Sequence, residues 1–236
     1  MGNTTLYPTA DTYVACRTEN GVCTEYGNKN FGSEAHIDST RRVIARRILL
    51  KFNISSLPTG AVITLAKIRL YCYMLAASAT HQFHSVTDDT WTELGVTWNN
   101  QPDHITLLDS KVVNAIDAWY EWTVTDFVKS QFEAGDNIVS FKSICLPENA
   151  GFVGAFFRSK EFDGLDPELY IEYTVGVAHK KTVSEILGLV DSKTFKHGAG
   201  HKLTVSEVLG LADAVKMIYC DAECPNRGKR VTVLIF

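Results

Sequence analysis

The sequence predicts an all-β, antiparallel architecture over residues 5–175, and three observations carry it. Residues 46–73 read as two strands around a turn. Ile48, Leu50 and Phe52 fall on one face of the first, and Ile63, Leu65, Ile68 and Leu70 give the second the branched residues that suit a half-buried pleat. Between them Ser55-Ser56-Leu57-Pro58-Thr59-Gly60 punctuates the chain, because proline presets φ near −65° and glycine accepts positive φ. Further alternating segments follow, separated by glycine, proline and asparagine turns. A chain of 236 residues has room for one large sandwich plus an appendage.

Taken in order, residues 6–13 are expected to form the first strand. Residues 16–33, with Gly21, Gly27 and Gly32, read as a long polar loop, which in a compact domain is either functional or pinned by something. Residues 80–86 alternate as a strand whose His81 and His84 point to opposite faces, an argument against a shared metal and for surface or capped histidines. Residues 87–102 are a loop in which Trp98 packs on the core and Asn99 and Asn100 bond loop backbone. The period then changes: Val124, Phe127, Val128 and Phe132 recur at helical spacing, Thr123 with Asp126 makes a capping-box-like start, and Gly135 suits the end. Residues 137–144, 151–157 and 168–175 close the domain as strands. The acidic loop at 159–166 is expected beside the end of the first strand.

Composition narrows the function. Hydrophobic residues at 45% and charged residues at 21% are ordinary for a globular protein, and a net charge of −4 with pI near 6 leaves no broad basic surface, so nucleic acid is not an expected partner. Arg41, Arg42, Arg46 and Arg47 are the local exception. They read either as a site for phosphate, sulfate or uronate, or as a solvated strand edge that discourages sheet-to-sheet aggregation. No apolar run is long enough to span a membrane, and the N-terminus lacks the basic region and apolar core of a secretory leader.

Six cysteines are an even number. Cys16 and Cys23 bracket a polar loop with an Asn20-Gly21 turn and are candidates for a disulfide, as are Cys220 and Cys224 around Asp-Ala-Glu. Cys72 and Cys145 sit in apolar strand patterns, as small buried hydrophobes or an inter-strand pair. Neither CxxC nor a paired-histidine motif supports zinc. Asp88, Asp89 and Glu93 invite a glycosidase reading, but neighbouring acids in a threonine-rich loop more often cap turns. No Ser-His-Asp, HExxH or nucleophile-elbow arrangement is present, and no enzyme activity is expected.

Several runs in order carry a family resemblance: Ala10-Asp11-Thr12-Tyr13-Val14, Asn30-Phe31-Gly32-Ser33, Arg47-Ile48-Leu49-Leu50-Lys51-Phe52-Asn53-Ile54-Ser55-Ser56-Leu57-Pro58, Trp91-Thr92-Glu93, Val96-Thr97-Trp98-Asn99-Asn100-Gln101-Pro102, Thr123-Val124-Thr125 and Pro167-Glu168-Leu169-Tyr170-Ile171-Glu172-Tyr173. In these runs the chain resembles the DNRLRE-type domain, carbohydrate-binding module family 96. The resemblance implies a jelly-roll β-sandwich without catalytic machinery, found in secreted and surface proteins and able in some members to bind acidic polysaccharide. On that footing Arg41, Arg42, Arg46 and Trp91 are the candidate carbohydrate contacts, Trp91 being either a lid on the sandwich or a sugar platform. Jelly-roll binding modules often hold one structural calcium, for which Asp11 is the candidate ligand.

The resemblance stops near residue 175, and the last sixty or so residues repeat themselves. His179-Lys180-Lys181-Thr182-Val183-Ser184-Glu185-Ile186-Leu187-Gly188-Leu189-Val190-Asp191 returns 22 residues later as His201 to Asp213. Each copy opens on a capping box and carries an i, i+3, i+4, i+7 apolar stripe, which predicts two short amphipathic helices; an extended pairing with a neighbour is the alternative. Val231, Val233, Leu234, Ile235 and Phe236 end the chain as a strand, either an edge of its own fold or a segment added to the sheet of another subunit. The domains expected are therefore a sandwich at 1–175 and an assembly tail at 176–236. The function expected first is that of a non-catalytic structural or adhesive protein, extracellular or on a virion surface and homo-oligomeric or joined to other structural subunits. A carbohydrate-binding module that serves a polysaccharide-degrading system is the alternative.

Overall fold

The alternation at Ile48, Leu50 and Phe52 places β5 (Ile44–Asn53) at the centre of an antiparallel sheet, between β2 (Ala10–Glu19) and β10 (Ile138–Leu146). β3 (Val22–Glu25) extends that sheet beyond β2, and β7 (Ala79–Val86) and β8 (Leu107–Val113) extend it beyond β10. A second antiparallel sheet is built on β6 (Ala61–Ala77). It takes β12 (Glu168–Val175) and then β1 (Gly2–Leu6) along one stretch, β11 (Val153–Arg158) and then β4 (His36–Arg41) along another, and β9 (Ala118–Thr123) as a further partner. This computed structural model describes residues 1–19, 22–41, 43–146 and 152–175. Arg42, Cys220, Cys224, the repeat and the terminal strand with Val231, Val233, Leu234, Ile235 and Phe236 lie outside the described residues, as does the side chain of Arg41.

The two sheets enclose one apolar core. Phe52, Phe141, Phe83, Trp122 and Phe157 are fully buried, with Phe83 and Trp122 edge-on at 4.9 Å and Trp122 and Phe157 at 6.0 Å. Edge-on rings set the negative face of one against the positive rim of the other. The indole N–H of Trp122 donates to the carbonyl of His81 at 3.0 Å, so the largest core side chain leaves no donor unsatisfied. The helix α1 (Thr125–Glu133) packs Val128 into this core, with Phe127 and Phe132 against it.

Several expectations change. Residues 6–13 are not one strand: Pro8, which has no N–H for a ladder, falls between β1 and β2, and the two strands join different sheets. β5 and β6 likewise belong to different sheets, so the turn that ends at Gly60 (φ 75°) is a crossover and not a hairpin. The polar loop at 16–33 contains β3, which folds back on β2. β4, β8 and β9 form where no strand was expected; β8 shows why, since only Val113 of its seven residues is buried and the period-two signal is faint. The N-cap of the helix is Val124, which offers no side-chain cap. Thr123 is committed to β9, opposite Lys67, and its N–H bonds Asp109 Oδ2 at 2.8 Å, so the capping box with Asp126 does not form. Gly135 does follow the helix end, at φ 81°. His81 is buried in the core with neither ring nitrogen bonded among the described residues, contrary to the surface or capped reading.

The sheet built on β5 is covered on both faces. Leu49, between the core residues Ile48 and Leu50, points the other way and packs with Ala10, Val14, Trp91 and Val96, with Trp98 beside them. The cover is the irregular segment 87–102, held by its backbone carbonyls. Asn30 Nδ2 donates to Glu93 O at 2.7 Å and Val96 O at 2.8 Å, and Lys51 Nζ donates to Asp89 O and Trp91 O at 2.7 and 2.5 Å. Lys142, itself buried, donates to Pro102 O. Among the described residues no helix is long and apolar enough to cross a membrane.

Asn30→Ala leaves two half-buried carbonyls without their donor while the backbone stays compatible. Each orphaned group costs about 1–3 kcal/mol, so urea denaturation should show the variant about 2 kcal/mol or more less stable at an unchanged m-value. A loss below about 0.5 kcal/mol, within the range of ordinary surface substitutions, would mean that the segment is held by its apolar contacts alone.

Candidate functional site

Where β2 ends, β5 begins and the chain enters β11, a surface groove of about 480 Å³ opens. Arg17, Val43, Ile44, Arg46, Phe152 and Phe156 line it. Its two guanidinium groups arrive from different strands, and its aromatic side from β11 and the residue just before it. Phe152 is 45% exposed, an aromatic ring offered to solvent.

Arg46 is fixed in place. Its Nη1 donates to Thr40 Oγ1 at 3.0 Å, Thr40 in turn donates to Asp38 Oδ1 at 2.9 Å, and Arg46 Nε stands 3.5 Å from Asp38 Oδ2. Asp38 is 1% exposed, and burial pushes its carboxyl up to about 7 although Arg46 and Thr40 pull the other way. The other groups that face it are His36, whose Nε2 lies 3.8 Å away, and the phenols of Tyr13 and Tyr73. Burial lowers the His36 pKa, so that ring is neutral at pH 7 and does not compensate the acid. Arg17 reaches the groove from β2 and bonds Glu25 Oε1 at 2.8 Å on the exposed side; its Nε has no partner among the described residues.

The arginine cluster seen in the sequence is split by strand geometry, since successive residues face opposite ways. Arg46 lines the groove, whereas Arg47 lies over the ring of Trp98 at 4.5 Å. Arg41 ends β4 with its backbone opposite Val153. Trp91 is only 6% exposed, its N–H bonds Ser140 Oγ at 3.3 Å and Lys51 Nζ sits 4.4 Å from its ring centre. It is therefore the lid of the two alternatives and has no open face for a sugar. Cys16 and Cys23 form the expected disulfide between β2 and β3, with Cα atoms 5.6 Å apart. Sequence reasoning missed Arg17 and the two phenylalanines. Phe152 carried a signal, an aromatic at the start of a predicted strand, but Arg17 stood in what read as loop.

Asp11 lies where the acidic loop meets β2, as expected. Its Oδ2 accepts from the Lys160 N–H at 3.0 Å, and its own N–H donates to Glu93 Oε1 at 2.9 Å. The ligand atoms of Asp11, Glu93 and Glu161 fall within 4.8 Å of one another. Burial pushes the Asp11 carboxyl up to about 7. The Lys160 ammonium already occupies this cluster, bonded to Glu93 at 2.9 Å and to Glu161 at 2.5 Å, so the residues as they stand do not fit a calcium ion.

The described residues that line the groove join two guanidinium groups to two phenyl rings and two aliphatic side chains, a combination suited to binding. A guanidinium takes a carboxylate or sulfate through paired N–H donors, and a phenyl face takes the C–H side of a pyranose ring.

Asp38 and Asp11 bear on stability as well. With folded pKa values raised from 3.8 to about 7, the folded protein holds protons that the unfolded chain releases. Their contribution therefore falls as pH rises between about 4 and 7 and is flat above. Burial lowers the pKa of His81 to about 3 and that of His84 to about 4, and their contribution rises with pH over part of the same range, so the test is a difference: relative to wild type, the melting temperature of Asp38→Asn should rise as pH goes from about 5 to about 7.5. A difference between Asp38→Asn and wild type that stays constant over this range would overturn the assignment.

A family model described as carbohydrate-binding module family 96 matches residues 2–173. No curated protein matches the chain. The matched stretch runs from β1 into β12 and so takes in both sheets, the clamped segment 87–102 and the groove. The chain belongs to carbohydrate-binding module family 96.

Proposed function

We propose that the protein is a non-catalytic module that binds acidic polysaccharide in the groove of Arg17, Arg46, Phe152 and Phe156. Arg17 and Arg46 take carboxylate or sulfate groups, and the phenylalanines take sugar faces. The observation that carries this reading is the pairing of two guanidinium groups with exposed aromatic surface in one open groove. Family membership supports a sugar as ligand. Charge supports an anionic one, because the nearest acid to Arg46 is buried and reluctant to ionise. The disulfide supports an extracellular setting, since such bonds persist in oxidising compartments.

A second reading, supported by the 22-residue repeat and the apolar run Val231-Thr232-Val233-Leu234-Ile235-Phe236, adds assembly into a surface filament, fibre or virion component to the same module. Short amphipathic segments of this kind are marginal alone and need a packing partner.

Retention on an alginate gel tests the first reading. Wild type should be retarded, less so as salt rises, because exposed charges are screened over about 8–10 Å at physiological ionic strength. Retardation should increase as pH falls through about 7, when Asp38 is protonated and Arg46 loses its counter-charge. Arg17→Ser combined with Phe152→Ala should abolish most of it. Equal retention of this variant would retire the groove, and no retention of wild type on any acidic gel would retire the ligand class.

Deletion after Val175 tests the second reading. The truncated protein should keep its cooperative melt and be monomeric by light scattering, where the full chain is larger. Val233→Pro, which removes a backbone donor, should weaken assembly at a nearly unchanged melting temperature. A full-length chain that is itself monomeric would sink the assembly reading and leave the binding one standing.

A further inference from the structure

We propose that Lys160 is a built-in cation: its ammonium takes the place of a divalent metal among Asp11, Glu93 and Glu161, so this corner of the sandwich holds together without calcium, and removing the ammonium turns the cluster into a metal site.

Two carboxylate oxygens on one calcium ion, each at about 2.4 Å, lie no more than about 4.8 Å apart, and the ligand atoms of Asp11, Glu93 and Glu161 meet that limit. The cluster is thus of the right size for one cation. A second observation points to the same place: Asp11 is 1% exposed, yet its Oδ1 has no hydrogen-bond partner among the described residues. An acid buried with an unused oxygen needs a counter-charge nearby.

Lys160 supplies that charge and also does the structural work of an ion. Its ammonium reaches Glu93 of the 87–102 segment across 67 residues of sequence and bonds its neighbour Glu161, while its backbone N–H donates to Asp11 Oδ2 on β2 across 149. The ammonium thus ties the 87–102 segment to the 159–166 loop, and the backbone bond holds both beside Asp11. The ammonium and a dication cannot share the same oxygens, because like charges a few ångströms apart repel and the oxygens that bond the ammonium are not free to ligate. A tethered cation has one further property: its contribution does not vary with metal concentration, whereas that of a bound ion does. Calcium was the expectation at Asp11, and the protein carries a lysine there instead.

The test uses the full chain. The wild type should melt at the same temperature, within about 1 °C, in excess EDTA and in millimolar calcium, and should retain no calcium after dialysis when assayed by atomic emission. Lys160→Met keeps the length of the side chain without its charge. It should melt lower than wild type in EDTA and recover by at least about 3 °C in calcium, a shift of about the size expected for tenfold or greater stabilisation in a domain of this length. Lys160→Met combined with Glu93→Gln should lose that recovery, which ties it to this cluster. One calcium per wild-type chain, or a wild-type melt raised by calcium, overturns the proposal, and so does a folded Lys160→Met protein indifferent to calcium. Should Lys160→Met not fold, the wild-type dialysis and melt still decide the question.

Discussion

The structure depends on the burial of the β2–β5–β10 sheet on both faces. One face is matched by the opposing sheet, but the other is covered by residues 87–102, which have no ladder of their own apart from a single 3₁₀ turn at Trp98–Asn100. Irregular backbone placed over a core must still satisfy its carbonyls. Asn30, Lys51 and Lys142 provide donors from the sheet side and from the preceding loop. Lys142 pays for this with a pKa lowered by burial to about 8, and its amine stays bonded to the Pro102 carbonyl. Within the segment, Asn100 closes the turn through Thr97 and Gly95, and Gln101 bonds Trp98 O. Residues that look functional because they are polar or aromatic in a loop, Trp91, Trp98 and Asn100 above all, are the means by which that loop serves as a layer.

This explains what the sequence made legible. β6 and β12 were readable from their period-two alternation, and β5 and β10, buried on both faces, from their dense apolar content. β3, β8 and β4 were not, since their side chains answer to edge position, a disulfide or a buried ion pair and not to a repeating apolar face. The disulfide was readable from spacing and a turn signal. The groove was hidden for a different reason: it is assembled from Arg17, Arg46 and Phe152, and nothing local to any of the three says that the other two are near.

Charge is handled in two ways, beside the middle of β2 and at its start. At Asp38 a buried acid is set against an arginine that also borders solvent, so the pair is lopsided: Arg46 keeps 25% of its side chain exposed while the acid keeps 1%. At Asp11 the acid is set against neighbouring acids with a lysine among them. Breaking either arrangement by removing one partner leaves a charge in a dry place, which costs more than the intact pair returns. The first leaves cationic character at the surface and suits recognition of an anion. The second consumes its cation internally and suits structure.

The groove itself follows from a local rule broken at one residue. β11 pairs with β4 and β6 at once, and its register against β6 shifts between Gly154 and Ala155. Gly154 has φ 110°, and a Cβ there would lie 2.3 Å from Ser39 O, so only glycine lets β11 approach β4 so closely. A bulge of this kind bends its strand and re-aims the side chains next to it. Phe152, two residues earlier, is turned out to solvent at 45% exposure, while Phe157, three residues later, is back in the core. A single glycine thus separates a phenylalanine that holds the fold together from one that is free to meet a ligand.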